Sequence, residues 1–154
     1  MALTYQLLEN ENIILTADWV NDSDIPSLLE GRNELILTNR RIIHLIKYIG
    51  GLRKVNYYSL DAILLSDGEA QAITIKTKYN FLALQIFFEN NKQRIFYFYR
   101  DGDETIARKW ADTIKILLRS RITTKCIFCR APITGYEGHT SRCSYCNSEQ
   151  KIYK

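Results

Sequence analysis

The four cysteines are the residues best placed to do chemistry, because all of them lie within the last thirty residues. They form two C-x-x-C pairs, Cys126 with Cys129 and Cys143 with Cys146, and thirteen residues separate the pairs. A C-x-x-C turn directs both sulfurs to one side, so two such turns can surround one tetrahedral zinc ion at Zn–S distances of about 2.3 Å. The spacing therefore predicts a structural zinc site with these four ligands.

Two disulfides and a redox-active pair are the competing interpretations of these cysteines. No cysteine precedes Cys126 and no signal peptide is recognisable, so the chain does not resemble a disulfide-rich secreted scaffold. A redox C-x-x-C normally follows a strand and opens a helix, whereas here two pairs occur together. Free thiolates without a targeting or lipidation motif predict a reducing, cytoplasmic setting.

The residues around the cysteines are predicted to form a small hairpin-rich unit. The stretch 130–142 contains Pro132, Gly135 and Gly138, so it is expected to turn back and pair with itself. Residues 124–154, with the knuckles CIFC and CSYC, resemble a zinc ribbon. Many ribbons have glycine after the second cysteine of a knuckle. Arg130 and Asn147 stand there in this chain, and a left-handed backbone suits asparagine better than arginine.

Length and composition leave room for one further domain. A chain of 154 residues can hold a domain of about 120 residues plus the ribbon. The apolar content of 46% is sufficient for a core, and no apolar run approaches the roughly 18 residues of a membrane span. A net charge of +4 is compatible with nucleic acid or anionic membranes but does not decide between them.

Apolar, β-branched segments separated by turn residues predict a mostly β domain followed by one helix. The Asn39-Arg40, Asp67-Gly68 and Asn90-Asn91-Lys92 sequences are the predicted turns. A loop is expected at 21–33, with one helical turn at Ser27–Glu30. The predicted strands are Ile13–Val20, Glu34–Thr38, Arg41–Tyr48, Lys54–Tyr58, Ala62–Leu65, Ala72–Tyr79, Phe81–Phe88 and Arg94–Tyr99.

An amphipathic helix is predicted from Glu104 to about Arg121, because apolar residues recur there at helical spacing. Asp101 and Asp103 are the expected N-cap residues. Trp110 is expected to anchor the helix in the core. The last two predicted strands, Phe81–Phe88 and Arg94–Tyr99, carry large apolar side chains on both faces, so they should lie centrally or be covered.

A series of antiparallel strands closed by one helix resembles a pleckstrin-homology (PH)-like barrel. The segment 34–48, ELILTNRRIIHLIKY, resembles a strand pair of the bacterial PH-like and GRAM families, and YYSLDAILL at 57–65 resembles their next strand and bend. The resemblance implies a mostly β fold: a seven-stranded antiparallel barrel or sandwich capped by a C-terminal helix. The expected division is a PH/GRAM-like domain at 1–121 and a zinc ribbon at 122–154.

The resemblance implies binding of phosphoinositide headgroups, other lipids or peptides. Phosphoinositide-binding members usually have a basic first loop, but the loop here, NDSDIPSLLEGRN, is net acidic. Basic residues occur instead between 34 and 61, and four of them are the predicted anionic-ligand site. A solvated strand end beside Gly50-Gly51 is the alternative for part of this set. The predicted site residues are Arg40, Lys47, Arg53 and Lys54.

Catalysis is not expected, because only His44 and His139 are available as histidines and no nucleophile or phosphate-binding loop is evident. The sequence therefore predicts a non-enzymatic binding or recruitment module for an anionic membrane surface or a protein partner, with no small-molecule substrate. Its expected location is cytoplasmic, with peripheral membrane association as an option. The alternative is a zinc-ribbon protein that binds nucleic acid or a ubiquitin-like protein. It draws on Arg130, Arg142, Lys151, Tyr136, Tyr145 and Tyr153, although the five Lys and Arg residues of 122–154 are few for tight nucleic-acid binding.

Overall fold

The computed structural model describes residues 5–22, 32–48, 53–77, 82–99 and 104–153. These residues form a mostly β structure with one α-helix, as predicted. A 3-10 turn, Leu60–Ala62, separates the fifth and sixth strands. The elements are β1 (Ile13–Asp18), β2 (Val20–Asn21), β3 (Glu34–Thr38), β4 (Arg41–Lys47), β5 (Arg53–Ser59), β6 (Leu65–Ser66), β7 (Glu69–Ala70), β8 (Ala72–Lys76), β9 (Leu82–Phe88), β10 (Lys92–Phe98), α1 (Glu104–Arg119), β11 (Arg121–Lys125), β12 (Pro132–Tyr136), β13 (Thr140–Arg142) and β14 (Glu149–Lys151).

Two antiparallel four-stranded sheets build the larger unit, in the orders β1-β3-β4-β5 and β2-β10-β9-β8. The prediction of one continuous strand, Ile13–Val20, is wrong. The strand is interrupted at Trp19, whose backbone is left-handed with a φ of 58°. This break lets β1 pair with β3 in one sheet and β2 with β10 in the other. If β1 and β2 are counted as one strand that changes sheets, the two described sheets contain seven strands.

The region after β5 differs from the prediction of a strand at Ala62–Leu65. Leu60–Ala62 forms the 3-10 turn, because the Ser59 hydroxyl accepts a hydrogen bond from the Asp61 N–H and caps it. The predicted Asp67-Gly68 turn is confirmed: both residues have positive φ, 52° and 78°, as a type I′ hairpin turn requires. The predictions for Ser27–Glu30, Gly50-Gly51 and the N-cap Asp101 and Asp103 lie outside the described residues.

The core lies between the sheets and under the helix. Trp110 is the predicted anchor and is 2% exposed, with its ring centroid 6.1 Å from that of Phe98. Helix α1 packs against β7, β8 and β9. Strands β9 and β10 occupy the two central positions of their sheet, one of the two arrangements predicted from their apolar side chains. Within the described ranges, no helix has the length and apolar character needed to cross a bilayer.

The cysteine-rich segment forms two small hairpins instead of the predicted self-paired stretch 130–142. Strand β11 pairs with β12, and β13 pairs with β14, so each C-x-x-C knuckle lies at the tip of its own hairpin. The segment 130–142 does turn, at Glu137 and Gly138. However, the two strands that it contains, β12 and β13, pair with β11 and β14, which lie outside it. Because the knuckles need hydrogen-bonded stems on both sides, pairing across each knuckle satisfies more backbone groups than pairing within the connection.

Candidate metal centre and the cleft beside it

The four predicted ligands lie together at the tips of the two hairpins. Their sulfur atoms are all within 4.8 Å of one another. The Sγ atoms of Cys126 and Cys146 are 3.6 Å apart, as are those of Cys129 and Cys143. A tetrahedral site with Zn–S distances of about 2.3 Å has sulfurs about 3.8 Å apart, so the arrangement fits one metal ion. All four cysteines are free, and the sulfur separations are well beyond a disulfide bond of about 2.05 Å.

The two knuckles have the same backbone geometry. In the first, the Arg130 N–H donates to the Cys126 carbonyl at 2.9 Å. The second repeats this contact, from the Asn147 N–H to the Cys143 carbonyl, also at 2.9 Å. Arg130 and Asn147 both have left-handed backbones, with φ of 62° and 65°. The first knuckle thus takes the ribbon conformation although it has arginine at the glycine position.

The electrostatics of the cluster favour a bound cation. The backbone N–H of Cys129 and the hydroxyl of Ser148 lower the pKa of the Cys126 thiol to about 6. The pKa of Cys129 is raised to about 12: the Ala131 N–H lowers it, but burial and the neighbouring sulfurs outweigh that contact. Four adjacent thiolates repel one another, and a divalent ion removes this repulsion. The donor set therefore suits a metal that prefers thiolates.

Isoleucines, and not aromatic residues, fill the small core beside the sulfurs. Ile133 and Ile152 are buried there with Cys126 and Cys143. The aromatic residues at the knuckle tips remain exposed. Phe128 is 67% exposed and Tyr145 is 75% exposed. These rings are therefore not needed to shield the cluster.

The structure divides the four predicted anionic-ligand residues between opposite ends of one sheet. Arg40 precedes β4, and Lys47 ends it, so about 23 Å separate them at about 3.3 Å per residue. Lys47 and Arg53 are paired neighbours across β4 and β5, and Lys54 follows with an exposed side chain. The Lys47 ammonium is also 2.9 Å from the Glu34 carboxylate. Three residues therefore gather at one end, and Arg40 stands apart.

Arg41 is part of a buried network that sequence reasoning missed. Its Nε lies 2.9 Å from the carboxylate of Glu11, whose side chain is fully buried. The Thr38 hydroxyl donates to the same carboxylate at 2.7 Å, and so does the Leu8 N–H. These contacts hold the N-terminal segment against the β3–β4 turn. The carboxylate partner of Arg41 lies 30 residues away in the sequence, so no local pattern indicates the pair.

Arg40 lies in the β3–β4 turn, directly before Arg41. It lines a cleft of about 520 Å³ between the sheet and the ribbon hairpins. We call it the barrel–ribbon cleft. Its sheet wall contains Arg40, Arg41 and Asp61, and its ribbon wall contains Tyr136 and His139. Tyr136 also packs against the main core. The ribbon is thus docked against the larger unit, and the Glu137 N–H donates to the Ser120 carbonyl at 3.0 Å.

One of the two histidines, His44, is buried in the core. His44 is 0% exposed, and its Nε2 lies 2.7 Å from the Val20 carbonyl, to which it donates. Its ring meets Phe96 edge-on at 5.5 Å. These contacts give His44 a packing role.

Comparison with known proteins places the fold. No protein-family model matches the chain, and no curated protein matches it significantly in sequence. The structure is similar to the Vps36 N-terminal PH domain, with a TM-score of 0.53 and 17% identity over 73% of this chain and 83% of that one. The hSac2 domain from human phosphoinositide phosphatase Sac2 matches with a TM-score of 0.47 and 13% identity, over 72% of each chain. At this identity the likeness concerns the fold: the chain is mostly β and PH-like, with a four-cysteine cluster that could hold a metal ion.

Proposed function

We propose that the chain is a non-enzymatic recruitment module whose PH-like domain engages an anionic membrane surface. In this proposal residues 1–121 form that domain and residues 122–154 form a structural zinc ribbon. The observation that carries it is the PH-like barrel, a fold used for binding, which the chain shares with the Vps36 PH domain. The corresponding location is the cytoplasm, with peripheral association at a membrane.

The proposed membrane contact is the sheet end formed by the start of β5 and the end of β4. Lys47, Arg53 and Lys54 are contiguous there through strand pairing. Each cation near an anionic bilayer contributes about 1 kcal/mol at most. Because the ion pair with Glu34 reduces the contribution of Lys47, the expected binding is weak and sensitive to salt.

Co-sedimentation with vesicles tests this proposal. The zinc-loaded chain should sediment with vesicles that contain phosphatidylserine at low salt, and not with phosphatidylcholine alone or at high salt. The double variant Arg53→Glu/Lys54→Glu should lose this binding. The matched control is Arg108→Glu/Lys109→Glu, which reverses two exposed charges on α1. An equal loss of vesicle binding in both variants, or no binding to either kind of vesicle, would contradict this membrane contact and favour a protein partner.

The exposed rings of Phe128 and Tyr145 favour one second candidate, a ribbon that binds nucleic acid or a ubiquitin-like protein. Exposed aromatics beside basic residues can stack on bases. Tyr136 does not join this surface, since it packs against the core. In this case Arg130, Arg142 and Lys151 would dominate binding, and nucleic-acid affinity would fall steeply with salt.

A further inference from the structure

The barrel–ribbon cleft combines donors from two units that are separate in sequence. Its sheet wall comes from the β3–β4 turn and the 3-10 turn after β5, and its ribbon wall comes from β12 and β13. Polar and apolar groups both line it, and its volume of about 520 Å³ is that of a small-ligand site. The lining includes three arginines and one histidine, against one carboxylate, Asp61.

Two of the three arginines are already neutralised. Arg41 is held by Glu11 at 2.9 Å. Arg142 lies 2.7 Å from the carboxylate of Glu149. Arg40 is half-buried, and within the described ranges no carboxylate pairs with its guanidinium. An arginine that is partly removed from water without a counter-ion favours an anion from outside the chain.

Tyr136 on the opposite wall offers a second unused donor. Its hydroxyl is buried, and it has no hydrogen-bond partner within the part of the chain that the structure describes. Burial, together with the nearby Asp61 carboxylate, raises the pKa of Tyr136 to about 12, so the hydroxyl stays protonated at neutral pH. An unsatisfied buried donor costs about 1–3 kcal/mol, and a ligand acceptor that reaches the hydroxyl through a small shift of the cleft wall would recover part of that cost.

We propose that the barrel–ribbon cleft binds a phosphate group, with Arg40 on one wall and Tyr136 on the other as its principal donors. A phosphate carries more acceptor oxygens than a carboxylate, and the cleft supplies further hydroxyl donors at Ser59 and Thr140. The phosphate is either a free anion or one on a lipid headgroup. This site is distinct from the proposed membrane contact, because Arg40 and Lys54 lie at opposite ends of the sheet.

Phosphate binding at this cleft depends on the metal centre. Strand β12 follows the first knuckle, and β13 leads into the second, so the ribbon wall is held by the four cysteines. Removal of the metal disorders the hairpins and with them Tyr136. Metal loading and anion binding are therefore linked, and each ligand raises the affinity for the other.

The first test is an NMR titration of the zinc-loaded chain with inorganic phosphate at constant ionic strength. We expect chemical-shift changes at Arg40, Tyr136 and Ser141. Arg40→Gln should weaken binding about tenfold, and Tyr136→Phe about three- to tenfold, the loss of one hydrogen bond in each case. Tyr136→Phe keeps the packed ring, and Arg40→Gln breaks no ion pair among the described residues, so both should fold. Lys54→Gln is the control and should bind phosphate like the parent chain.

The second test separates the two sources of phosphate. If the chain binds phosphatidic acid vesicles more tightly than phosphatidylserine vesicles, and Arg40→Gln removes this difference, the ligand is a lipid phosphate. Binding of inorganic phosphate without that preference would identify a soluble ligand. Binding that survives chelation of the metal, or that is unchanged in both cleft variants, would overturn the proposal. Absence of binding to phosphate and to phosphatidic acid would also overturn it, whatever the result of the Arg53→Glu/Lys54→Glu experiment.

Discussion

Arg130 and Asn147 occupy the same position in the two knuckles, and both have left-handed backbones, with φ of 62° and 65°. Each donates its N–H to the first cysteine carbonyl of its knuckle at 2.9 Å. The two hairpins are therefore built alike although their sequences differ. The strain is unequal, because asparagine adopts this conformation more readily than arginine.

Replacing Arg130 with glycine should stabilise the ribbon. Glycine removes the left-handed strain at this position, and it loses part of that gain through the entropy of the unfolded chain. We expect a gain of about 0.5–1 kcal/mol in the free energy of ribbon unfolding. Chelator competition should show it as about two- to fivefold tighter zinc retention. Asn147→Gly is the matched control, and an equal or larger gain there would contradict the strain at Arg130.

Glu11→Gln should destabilise the larger unit by about 2–3 kcal/mol, because the amide removes the buried negative charge that pairs with Arg41 and replaces one of the two acceptor oxygens with an NH2 group that faces other donors. Chemical denaturation at neutral pH measures this loss. Glu89→Gln, which changes an exposed carboxylate, should have almost no effect. Comparable losses in the two variants would contradict the role of the Glu11 network.

The same carboxylate makes stability depend on pH. Burial opposes ionisation of Glu11, but the Leu8 N–H, the Thr38 hydroxyl and Arg41 outweigh it, so its pKa lies below the usual 4.5. The contribution of Glu11 is thus complete above pH 4.5 and is lost as the pH falls through the lowered folded-state pKa. Parent and Glu11→Gln stabilities should converge on acidification. A difference that persists unchanged to low pH would contradict this assignment.

Trp110→Ala should cost about 3–5 kcal/mol, because it empties the space between α1 and the sheets. Thermal or chemical unfolding measures the change. Ile116→Ala is the control on the same helix, since that side chain is 62% exposed and its loss should change stability by less than about 0.5 kcal/mol. A small effect at Trp110 would mean that the helix is not anchored there.

Local patterns predicted much of the fold. Asp67-Gly68 and Asn90-Asn91 were recognisable turns because these residue types adopt positive φ, and all four do. The spacing of apolar residues also located α1. The left-handed Trp19 could not be predicted, because its cause is the change of sheet between β1 and β2, which is a tertiary event. The 3-10 turn at Leu60–Ala62 was missed because its apolar residues match a short strand equally well.

The candidate sites show the same contrast. The cysteines were identifiable because metal ligands follow a fixed local spacing. The barrel–ribbon cleft was not, because Arg40 and Tyr136 are far apart in sequence and come together only when the ribbon docks. Basic residues that appear as one group between 34 and 61 separate once β4 extends between them. Basic residues that are close in sequence therefore do not identify a single basic surface when they lie at opposite ends of a strand.

Zinc at the four-cysteine cluster is the central claim, and metal analysis of the purified, reduced chain tests it most directly. We expect about one equivalent of zinc per chain, and its loss in Cys126→Ser, because four thiolates fill one tetrahedral site. Chelation should unfold the ribbon hairpins while the larger unit keeps its β structure, since no cysteine lies within it. A reduced, metal-free chain with both hairpins folded would contradict the account.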